Sequence, residues 1–571
     1  MNTKWTRRHT IGLVIAAVVV FFLVDRATEH VRVELAAGAA VNTLLGTFPA
    51  AIAQNPFHLS FAVPDLAVAG GAVLTVLLIV LYRVASKQNT RPGEEHGSAR
   101  WAEPKEIAPF RDPDPAKELR FTETVAMSTD SSRTRRNSNV CVFGASGSRK
   151  TLSYVVPNLV AVDMSTATTD PKGEIYQMTR PALERRGIQV RTLNLIDLQL
   201  SDQFNPLRYI RVDDPETDIM QLAEGIITNT DGQSHGADPF WPRAERALLT
   251  ALIAYIWATQ SQGLEQEPNL PAVVDLQKGM DSSEEDKDAR HSRTDVLFEA
   301  AREAVTAARA HPAADDDPLT IEVLDFACRQ YRIYQQGAAE TRKGVVISLG
   351  ARLSPIDTKQ MRRILSSDTI YLDKLGYEPT ALFLQIPDTH NAFKFVSAMF
   401  WQVMFSYTVY QADHEPARRL PRMLHTFLDE FANIGIIPNF EKLIATIRSR
   451  GISASLIYQN YAQGKAHFKE NWTTILGNCD TKVFLGGDDP ETREYVSKSL
   501  GNQTITANDT SRTRGATGSW SESNRSMGRP LMTPDEVGRL DNDLAIVMIR
   551  GVHPFKSRKT TIRTHELERA A

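Results

Sequence analysis

The sequence predicts an α/β fold in which a parallel central sheet carries helices on both faces, with an all-α insertion and an N-terminal two-helix membrane anchor. Three observations predict it. Short apolar runs alternate with helical stretches from about residue 140 to 196 and again after about 371, which is the βαβ rhythm of a parallel sheet. Between about 212 and 370 only helical patterns occur. Two long uncharged runs lie before residue 90.

The composition is that of a globular protein. The 571 residues are 42% hydrophobic and 23% charged, which excludes a collagen-like fibre, a disulfide-rich miniprotein and a mostly disordered chain. The net charge of -3 gives no reason to expect a wholly basic nucleic-acid binder, so contact with DNA would need local basic patches. Cys141, Cys328 and Cys479 show no C-x-x-C spacing, which indicates a reducing compartment and no zinc site.

Residues 1–90 are predicted to form a transmembrane hairpin. Helices are expected at about 10–24 and 66–82, with an external segment at 25–65. Basic residues flank the pair on both sides, at Lys4, Arg7, Arg8, Arg83, Lys87 and Arg91. By the positive-inside rule both flanks are cytoplasmic, which predicts a multi-pass protein of the cytoplasmic (inner) membrane with the bulk of the chain in the cytoplasm. The alternative is a cleaved signal peptide, against which the second run and its basic flank argue.

The rest of the chain is predicted to divide into a sheet domain, residues 91–211 and 371–571, and an all-α insertion, residues 212–370. Strands are expected at 140–143, 165–169, 190–196, 381–386, 423–428, 453–458, 482–485 and 544–549. The charged stretch 281–293 is predicted to be a solvated loop, and the polar stretch 502–529 a mobile loop.

A phosphate-binding loop follows the first of these strands. The pattern G-x-x-x-x-G-K-[ST] matches at every required position except Arg149, which replaces a glycine. Its residues are Gly144, Ala145, Ser146, Gly147, Ser148, Arg149, Lys150 and Thr151. Lys150 is expected to reach the β- and γ-phosphates, and Thr151 to ligate Mg²⁺. The charge of Arg149 could favour phosphate, or its bulk could weaken the site. The alternative is a glycine-rich turn without a ligand.

A second motif ends the strand at 423–428 in Asp429 and Glu430, which is a Walker B pattern. Asp429 is expected to hold Mg²⁺, and Glu430 to polarise the attacking water as the catalytic base. Gln459 ends a neighbouring predicted strand and is a candidate sensor of the γ-phosphate. The alternative for Asp429 and Glu430 is a strand that ends in two solvated acids, and the alternative for Gln459 is an ordinary amide near a loop. Together the motifs predict binding of ATP or GTP with Mg²⁺, and hydrolysis, with Lys150 and Glu430 in catalytic roles.

The ordered motifs resemble those of the type IV coupling proteins of conjugation and type IV secretion, the TraG/TraD group. They are HGSARW at 96–101, TDPKGE at 169–174, FNPL at 204–207, DPFW at 238–241, TRKG at 341–344, LDEFANIG at 428–435 and LMTPDE at 531–536. The resemblance covers nearly the whole chain. Arg149 is the departure, since the family usually has glycine there, and it bears on the tightness of nucleotide binding and on turnover.

The resemblance implies a RecA-like P-loop NTPase domain, an all-α domain and a membrane anchor. It also implies a homo-hexamer that uses ATP to recruit and help translocate single-stranded DNA with its relaxase, or protein substrates, into a channel of secretion proteins. Asp170, Lys172 and Glu174 lie in the second family motif and are expected to shape the nucleotide site.

Candidate DNA contacts are the basic residues outside these motifs. They are Lys442, Arg448, Arg450, Arg512, Arg514, Arg525, Arg550, Lys556, Arg558, Lys559 and Arg563. A solvated surface, or attraction to anionic lipid, would explain them as well. A ring ATPase needs an arginine supplied in trans, for which Arg342, Arg448 and Arg450 are candidates.

Two other functions stay open. The first is a non-hydrolysing membrane receptor or scaffold for secretion substrates, in which the Arg149 loop binds nucleotide weakly; the retained Asp429 and Glu430 argue against it. The second is an FtsK-like DNA translocase, which would be expected to carry a C-terminal winged-helix module, for which the residues after the last predicted strand leave no room.

Overall fold

The computed structural model describes residues 7–41, 44–85, 91, 93–230, 240–260, 267–280, 292–312, 317–388, 390–512 and 520–562. The chain divides into two compact units, Met1–Glu95 and His96–Ala571. Several predicted features lie outside the described residues: most of the charged stretch 281–293, Asp238 and Pro239 of the DPFW motif, Arg514 and Arg563.

The first unit contains three helices in its described part, α1 (Arg7–Ala36), α2 (Leu44–Gln54) and α3 (Val63–Ala85). Two segments are long and apolar enough to cross a membrane, Ile11–Ala36 and Val63–Arg83. The predicted helix boundaries were wrong, because α1 continues well beyond residue 24 and α3 begins before residue 66. The predicted external segment 25–65 therefore contains the end of α1, the whole of α2 and the start of α3.

The helix α1 extends beyond its apolar run because polar side chains in its second half have hydrogen-bond and ion-pair partners. The residues after 24 are mostly good helix formers, with neither glycine nor proline before Gly38. Asp25 is buried and accepts a hydrogen bond from the Ser60 N–H at 2.8 Å. Arg32 pairs with Asp65 at the start of α3, Nη2 to Oδ2 2.8 Å. These contacts hold the polar ends of the two long helices together.

The second unit is built on a sheet covered by helices. Its strands are β1 (Glu118–Arg120), β2 (Ala126–Ser128), β3 (Val140–Phe143), β4 (Ser165–Asp170), β5 (Gln189–Asn194), β6 (Thr380–Gln385), β7 (Leu424–Leu428), β8 (Ile452–Tyr458), β9 (Thr481–Phe484), β10 (Asn502–Arg512), β11 (Trp520–Pro530), β12 (Leu544–Ile549) and β13 (Phe555–Arg558). Its helices are α4 (Ser131–Thr134), α5 (Val156–Ala161), α6 (Glu174–Arg185), α7 (Pro215–Asn229), α8 (Phe240–Gln260), α9 (Leu270–Lys278), α10 (Arg293–Ala310), α11 (Pro318–Gln335), α12 (Ala339–Leu353), α13 (Lys359–Leu365), α14 (Lys394–His414), α15 (Phe440–Thr446), α16 (Tyr461–Phe468), α17 (Trp472–Gly477), α18 (Pro490–Leu500) and α19 (Pro534–Gly538).

The central sheet has the strand order β13-β12-β9-β3-β8-β7-β4-β6-β5. All pairs from β9 to β5 are parallel, as predicted. The edge differs, because β12 pairs antiparallel with both β9 and β13. A short turn joins β12 to β13, and a turn that short connects antiparallel strands, since a parallel pair needs a long crossover. The sheet is therefore mixed, with a parallel centre.

Both faces of the sheet are buried. Along β3, Cys141 and Phe143 belong to one hydrophobic cluster, whereas Val140 and Val142 belong to a second. This alternation is expected when successive side chains of a strand point to opposite faces, each covered by helices. The parallel strands consequently end together at one edge, where the predicted motifs lie.

The described residues between β5 and β6 form helices and no strand. Leu248 of α8 and Phe326 of α11 lie in the same hydrophobic cluster as Leu428 of β7, so the helices share a core with one face of the sheet. The domain boundaries at 211, 212, 370 and 371 stay predictions.

The prediction of a mobile loop at 502–529 was wrong, because β10 and β11 pair as an antiparallel hairpin from Asn502–Pro530 to Arg512–Trp520. Thr504, Thr506 and Thr510 of β10 favour a strand, which the polar composition of the stretch concealed.

Candidate nucleotide site

The predicted motifs lie on four adjacent strands. The phosphate-binding loop follows β3, Gln459 follows β8, Asp429 follows β7, and Asp170 ends β4, in the spatial order β3-β8-β7-β4. Ligands bind outside the carboxyl ends of the strands in open α/β sheets. A cleft of about 310 Å³ lies at this edge. Its lining includes Ala145, Ser146, Gly147, Arg149, Lys150, Thr151, Asp170, Lys172, Glu174, Asp429 and Glu430.

The loop is tightly curled at its first glycine. A Cβ atom at Gly144 would lie 2.5 Å from Ser148 Oγ and 2.9 Å from Lys150 Cγ, so a side chain does not fit. The Gly144 N–H donates to the Tyr458 carbonyl at 3.1 Å, and the Ala145 N–H donates to the Gly486 carbonyl at 2.9 Å. These bonds fix the start of the loop to β8 and to the segment after β9.

Arg149 has a left-handed backbone, with φ of 63°. This conformation explains why the motif has glycine there, since other residues adopt it at a cost of about 1–2 kcal/mol. The side chain extends toward Asp543, with Nη1 3.2 Å from Oδ1, and is 47% exposed. Two effects of Arg149 were predicted, a charge that favours phosphate and a bulk that weakens the site. The structure bears on the second, because the bulk of the side chain is directed to Asp543, just before β12.

Lys150 and Thr151 connect the loop to the acidic pair. The Lys150 ammonium is buried and donates to the Gly144 carbonyl at 2.8 Å. Burial lowers its pKa, and the nearby Asp429 and Glu430 carboxylates act in the opposite direction. The Thr151 hydroxyl donates to Asp429 Oδ2 at 3.0 Å. Thr151 also begins a π-helical turn, Thr151–Val155, ahead of α5.

The acidic pair consists of one buried and one more accessible carboxylate. Asp429 is 3% exposed, and burial raises its pKa to about 6, against the attraction of Lys150. Glu430 has φ of 49°, which turns the chain sharply after β7. The Glu430 carboxylate accepts hydrogen bonds from the amides of Gln459 at 3.4 Å and Asn433 at 3.0 Å. The sequence reasoning had found Gln459 but not Asn433, which lies three residues after Glu430 in the family motif.

Asp170 contributes to the wall of the cleft through the backbone. Its carboxylate is buried and accepts the Tyr176 N–H at 2.8 Å, which fixes the turn into α6. Burial raises the pKa of Asp170, while several backbone N–H groups of this turn lower it. Gly173 in this turn has φ of 74°, and a Cβ atom there would lie 2.8 Å from Gln385 Oε1. Gln385 ends β6 and was not predicted from the sequence.

Three of the predicted DNA contacts have partners within the protein. Lys559 is buried against the phosphate-binding loop, Arg550 pairs with Asp480, and the Lys556 ammonium lies 5.0 Å from the centre of the Trp101 ring. For Lys559 the prediction of a DNA-facing side chain is wrong. A pattern of basic residues in sequence does not show which of them have acidic or backbone partners elsewhere in the fold.

The candidate trans arginines also differ from each other. Arg450 forms a bidentate ion pair with Asp413, in which Nε donates to Oδ1 at 2.9 Å and Nη2 donates to Oδ2 at 2.8 Å. Arg342 is half-buried and Arg448 is exposed. Exposed basic residues also remain for contact with DNA, among them Lys442, Arg448, Arg525 and Arg558.

The fold and the cleft define the class of protein: an α/β P-loop NTPase fold with a Walker B strand beside the phosphate-binding loop. The family model described as "Type IV secretory system Conjugative DNA transfer" matches residues 109–562, and the chain belongs to this family. The resemblance to type IV coupling proteins is confirmed by this match.

Similar curated proteins include conjugal transfer proteins. A "Probable conjugal transfer protein TraG" of Sinorhizobium fredii (strain NBRC 101917 / NGR234) is 25% identical over 430 residues, covering 74% of this chain and 61% of that protein. "Protein VirD4" of Agrobacterium fabrum (strain C58 / ATCC 33970) is 22% identical over 525 residues, covering 89% of this chain and 71% of that protein. The chain spans about three fifths of the length of the TraG proteins of S. fredii and A. fabrum, 61% and 59%.

Solved structures show the fold. The "Bacterial conjugative coupling protein TrwBdeltaN70" matches with a TM-score of 0.56 and 16% identity over 83% of this chain and 97% of that one. The "Plasmid coupling protein TrwB in complex with ADP and Mg2+" matches with a TM-score of 0.56 and 16% identity, over 83% and 96%. The predicted α/β fold class is confirmed by this likeness and by the sheet described above.

Proposed function

We propose that this protein is a membrane-anchored ATPase that couples single-stranded DNA with its relaxase, or a protein substrate, to a type IV secretion channel. The junction of the two motifs carries the proposal: the Thr151 hydroxyl lies 3.0 Å from Asp429 Oδ2, beside the buried Lys150 ammonium. Membership of the conjugative DNA transfer family supports the transfer role.

The residues of the cleft fit ATP with Mg²⁺. A hydroxyl and a carboxylate, on Thr151 and Asp429, are the oxygen ligands that Mg²⁺ prefers. When bound, Mg²⁺ would neutralise charge on the β- and γ-phosphates. Lys150 would then exchange the Gly144 carbonyl for a phosphate oxygen, and the backbone of 144–151 would enclose the phosphates.

Glu430 and Gln459 complete the proposed catalytic set. Glu430 would hold the attacking water and accept its proton, and the Asn433 amide keeps its carboxylate in place at 3.0 Å. Gln459 contacts the same carboxylate at 3.4 Å, so a γ-phosphate that engages Gln459 would also change the position of Glu430. Asp170 would act indirectly, by fixing the turn that forms the wall of the cleft.

The family and the exposed surfaces support a proposal for the wider assembly. We infer a homo-hexamer, a two-helix anchor formed by α1 and α3 in the inner membrane with the bulk of the chain in the cytoplasm, and contact with secretion-channel proteins. Candidate DNA contacts are the exposed Lys442, Arg448 and Arg525. Arg448 and Arg342 remain the candidate trans arginines, since Arg450 is tied to Asp413.

The test is ATP turnover by the full chain in detergent, with and without single-stranded DNA. We expect turnover that rises with DNA and falls at least about a hundredfold in Glu430→Gln, which keeps the shape of the side chain but removes the base. Glu441→Gln on α15, outside the cleft lining, is the matched control and should leave turnover unchanged. Turnover of the assembled wild type equal to that of Glu430→Gln would instead favour the non-hydrolysing scaffold.

A further inference from the structure

The phosphate-binding loop is held from behind by a lysine that the sequence motif does not include. Lys559 directly follows β13 and is only 5% exposed. Its ammonium donates to the Ser148 carbonyl oxygen at 2.9 Å and lies 3.5 Å from Asn542 Oδ1. A buried ammonium that donates to a loop carbonyl restricts that loop strongly, because such charge-assisted bonds are about twice as strong as neutral ones.

The bond to Ser148 fixes the orientation of one peptide group. In a planar trans peptide the C=O and N–H bonds point in opposite directions. The carbonyl of Ser148 points toward Lys559, so the N–H of Arg149, in the same peptide group, points to the other side. That N–H donates to no atom among the described residues, and Arg149 lines the nucleotide cleft. An N–H in this orientation would be available to a bound phosphate.

The same hairpin also holds the side chain of Arg149. Asp543, just before β12, pairs with the Arg149 guanidinium at 3.2 Å. The backbone N–H of Lys559 in turn donates to the Asp543 carbonyl at 2.8 Å. Lys559 and Asp543, which flank the β12–β13 hairpin, thus contact the Ser148 carbonyl and the Arg149 side chain, on either side of the left-handed backbone at Arg149.

We propose that Lys559 is a positioning residue for the nucleotide, whose ammonium orients the Ser148–Arg149 peptide group so that the Arg149 N–H faces the phosphates. Lys559 does not itself touch the phosphates. The inference rests on the proposed nucleotide site. It assigns to the β12–β13 hairpin a part in binding that none of the motifs named above includes.

The charges around Lys559 make its contribution dependent on pH. Burial lowers its pKa to about 8. Arg149 contributes to this lowering, and Asp543 and Asp541 act against it. Glu123 and Arg558 are the other charged residues that line the adjoining cavity. Above about pH 8 the ammonium loses its proton and the bond to Ser148 weakens. An arginine at this position would stay charged.

The experiment measures the affinity of the full chain in detergent for N-methylanthraniloyl-ATP with Mg²⁺ by fluorescence titration. In Lys559→Met the Kd should rise roughly tenfold or more, while Lys559→Arg should keep it within roughly threefold. Lys556→Met, on the exposed side of β13, is the matched control and should not change the Kd. A Kd for Lys559→Met equal to that of the wild type would overturn the inference alone, whereas no binding by the wild type would overturn the proposed function as well.

A second measurement needs no destabilising substitution. Between pH 7 and 9 the wild-type Kd should rise roughly threefold or more as Lys559 loses its proton, while the Lys559→Arg profile stays flatter. Identical pH profiles for the two proteins would contradict the positioning role, whatever the stability of Lys559→Met.

Discussion

Asp429 is predicted to lower the stability of the nucleotide-free protein at neutral pH. Its carboxylate is buried below Lys150 and Thr151, and burial raises its pKa from 3.8 to about 6. At pH 7.5 it is ionised in both the folded and the unfolded state, but ionisation is less favourable in the folded state. We therefore expect Asp429→Asn to stabilise the protein when no nucleotide is bound.

The expected size follows from the pKa and the hydrogen bonds. A rise from 3.8 to about 6 corresponds to about 3 kcal/mol of unfavourable free energy for the ionised form. Both oxygens accept hydrogen bonds, one from the Thr151 hydroxyl and one from the Glu430 N–H. An asparagine keeps only one acceptor, which costs about 1 kcal/mol. The net gain of about 2 kcal/mol would raise the Tm by about 2 °C for a chain of 571 residues.

The pH dependence identifies the cause. Because the folded-state pKa is raised, the protonated carboxyl stabilises the fold at low pH, and this stability is lost as the pH rises from about 4 to about 6. The Tm advantage of Asp429→Asn should therefore be present at pH 7.5 and absent at pH 4.5.

The assay is thermal unfolding of the full chain in detergent, followed by tryptophan fluorescence. Asp488→Asn, whose side chain is 87% exposed, is the control and should leave the Tm unchanged. Addition of Mg²⁺ and ATP should raise the Tm of the wild type but not that of Asp429→Asn. A nucleotide-free Asp429→Asn protein that melts below the wild type at pH 7.5 would refute the reasoning.

Two further predictions concern stability. Arg149→Gly and Arg149→Ala both remove the exposed ion pair with Asp543. Only glycine accepts the φ of 63° without strain, so the glycine variant should melt about 1 °C above the alanine variant. Equal melting temperatures would contradict the backbone strain at Arg149. Glu245→Gln in α8 should lower the free energy of unfolding by about 3–5 kcal/mol, because it leaves the buried Arg352 guanidinium, 2.7 Å away, without its carboxylate. Replacement of both Glu245 and Arg352 by methionine should cost less than Glu245→Gln alone; a larger loss in the double variant would contradict this.

The sheet and the cleft could be predicted because both depend on local patterns. The run 140–143 followed by the loop, and the run 423–428 followed by Asp429, place two motifs at strand ends, and parallel strands bring their ends to one edge. The relative order of the strands was not predictable in the same way, since it depends on which strand the chain returns to after the helical segment. Gln459 became part of the site because β8 lies between β3 and β7.

The parts that sequence reasoning missed depend on long-range contacts or on composition that misleads. Lys559 looks like one more residue of a basic stretch, and only the pairing of β12 with β9 brings it behind the loop. The hairpin β10–β11 has the Ser, Thr and Asn content of a loop. The helix α1 continues past its apolar run because Asp25 finds the Ser60 N–H as partner across the unit.

The glycine that the phosphate-binding loop lacks is compensated by the β12–β13 hairpin. An arginine at this position has two costs: a strained backbone and a side chain that could fill the cleft. Asp543 removes the second cost, because it pairs with the guanidinium outside the loop. Lys559 limits the first, because it holds the adjoining Ser148 carbonyl in the orientation that the left-handed residue requires. If so, Arg149 and the hairpin form one unit, and replacement of Asp543 by alanine should weaken nucleotide binding in the wild type more than in the Arg149→Gly background.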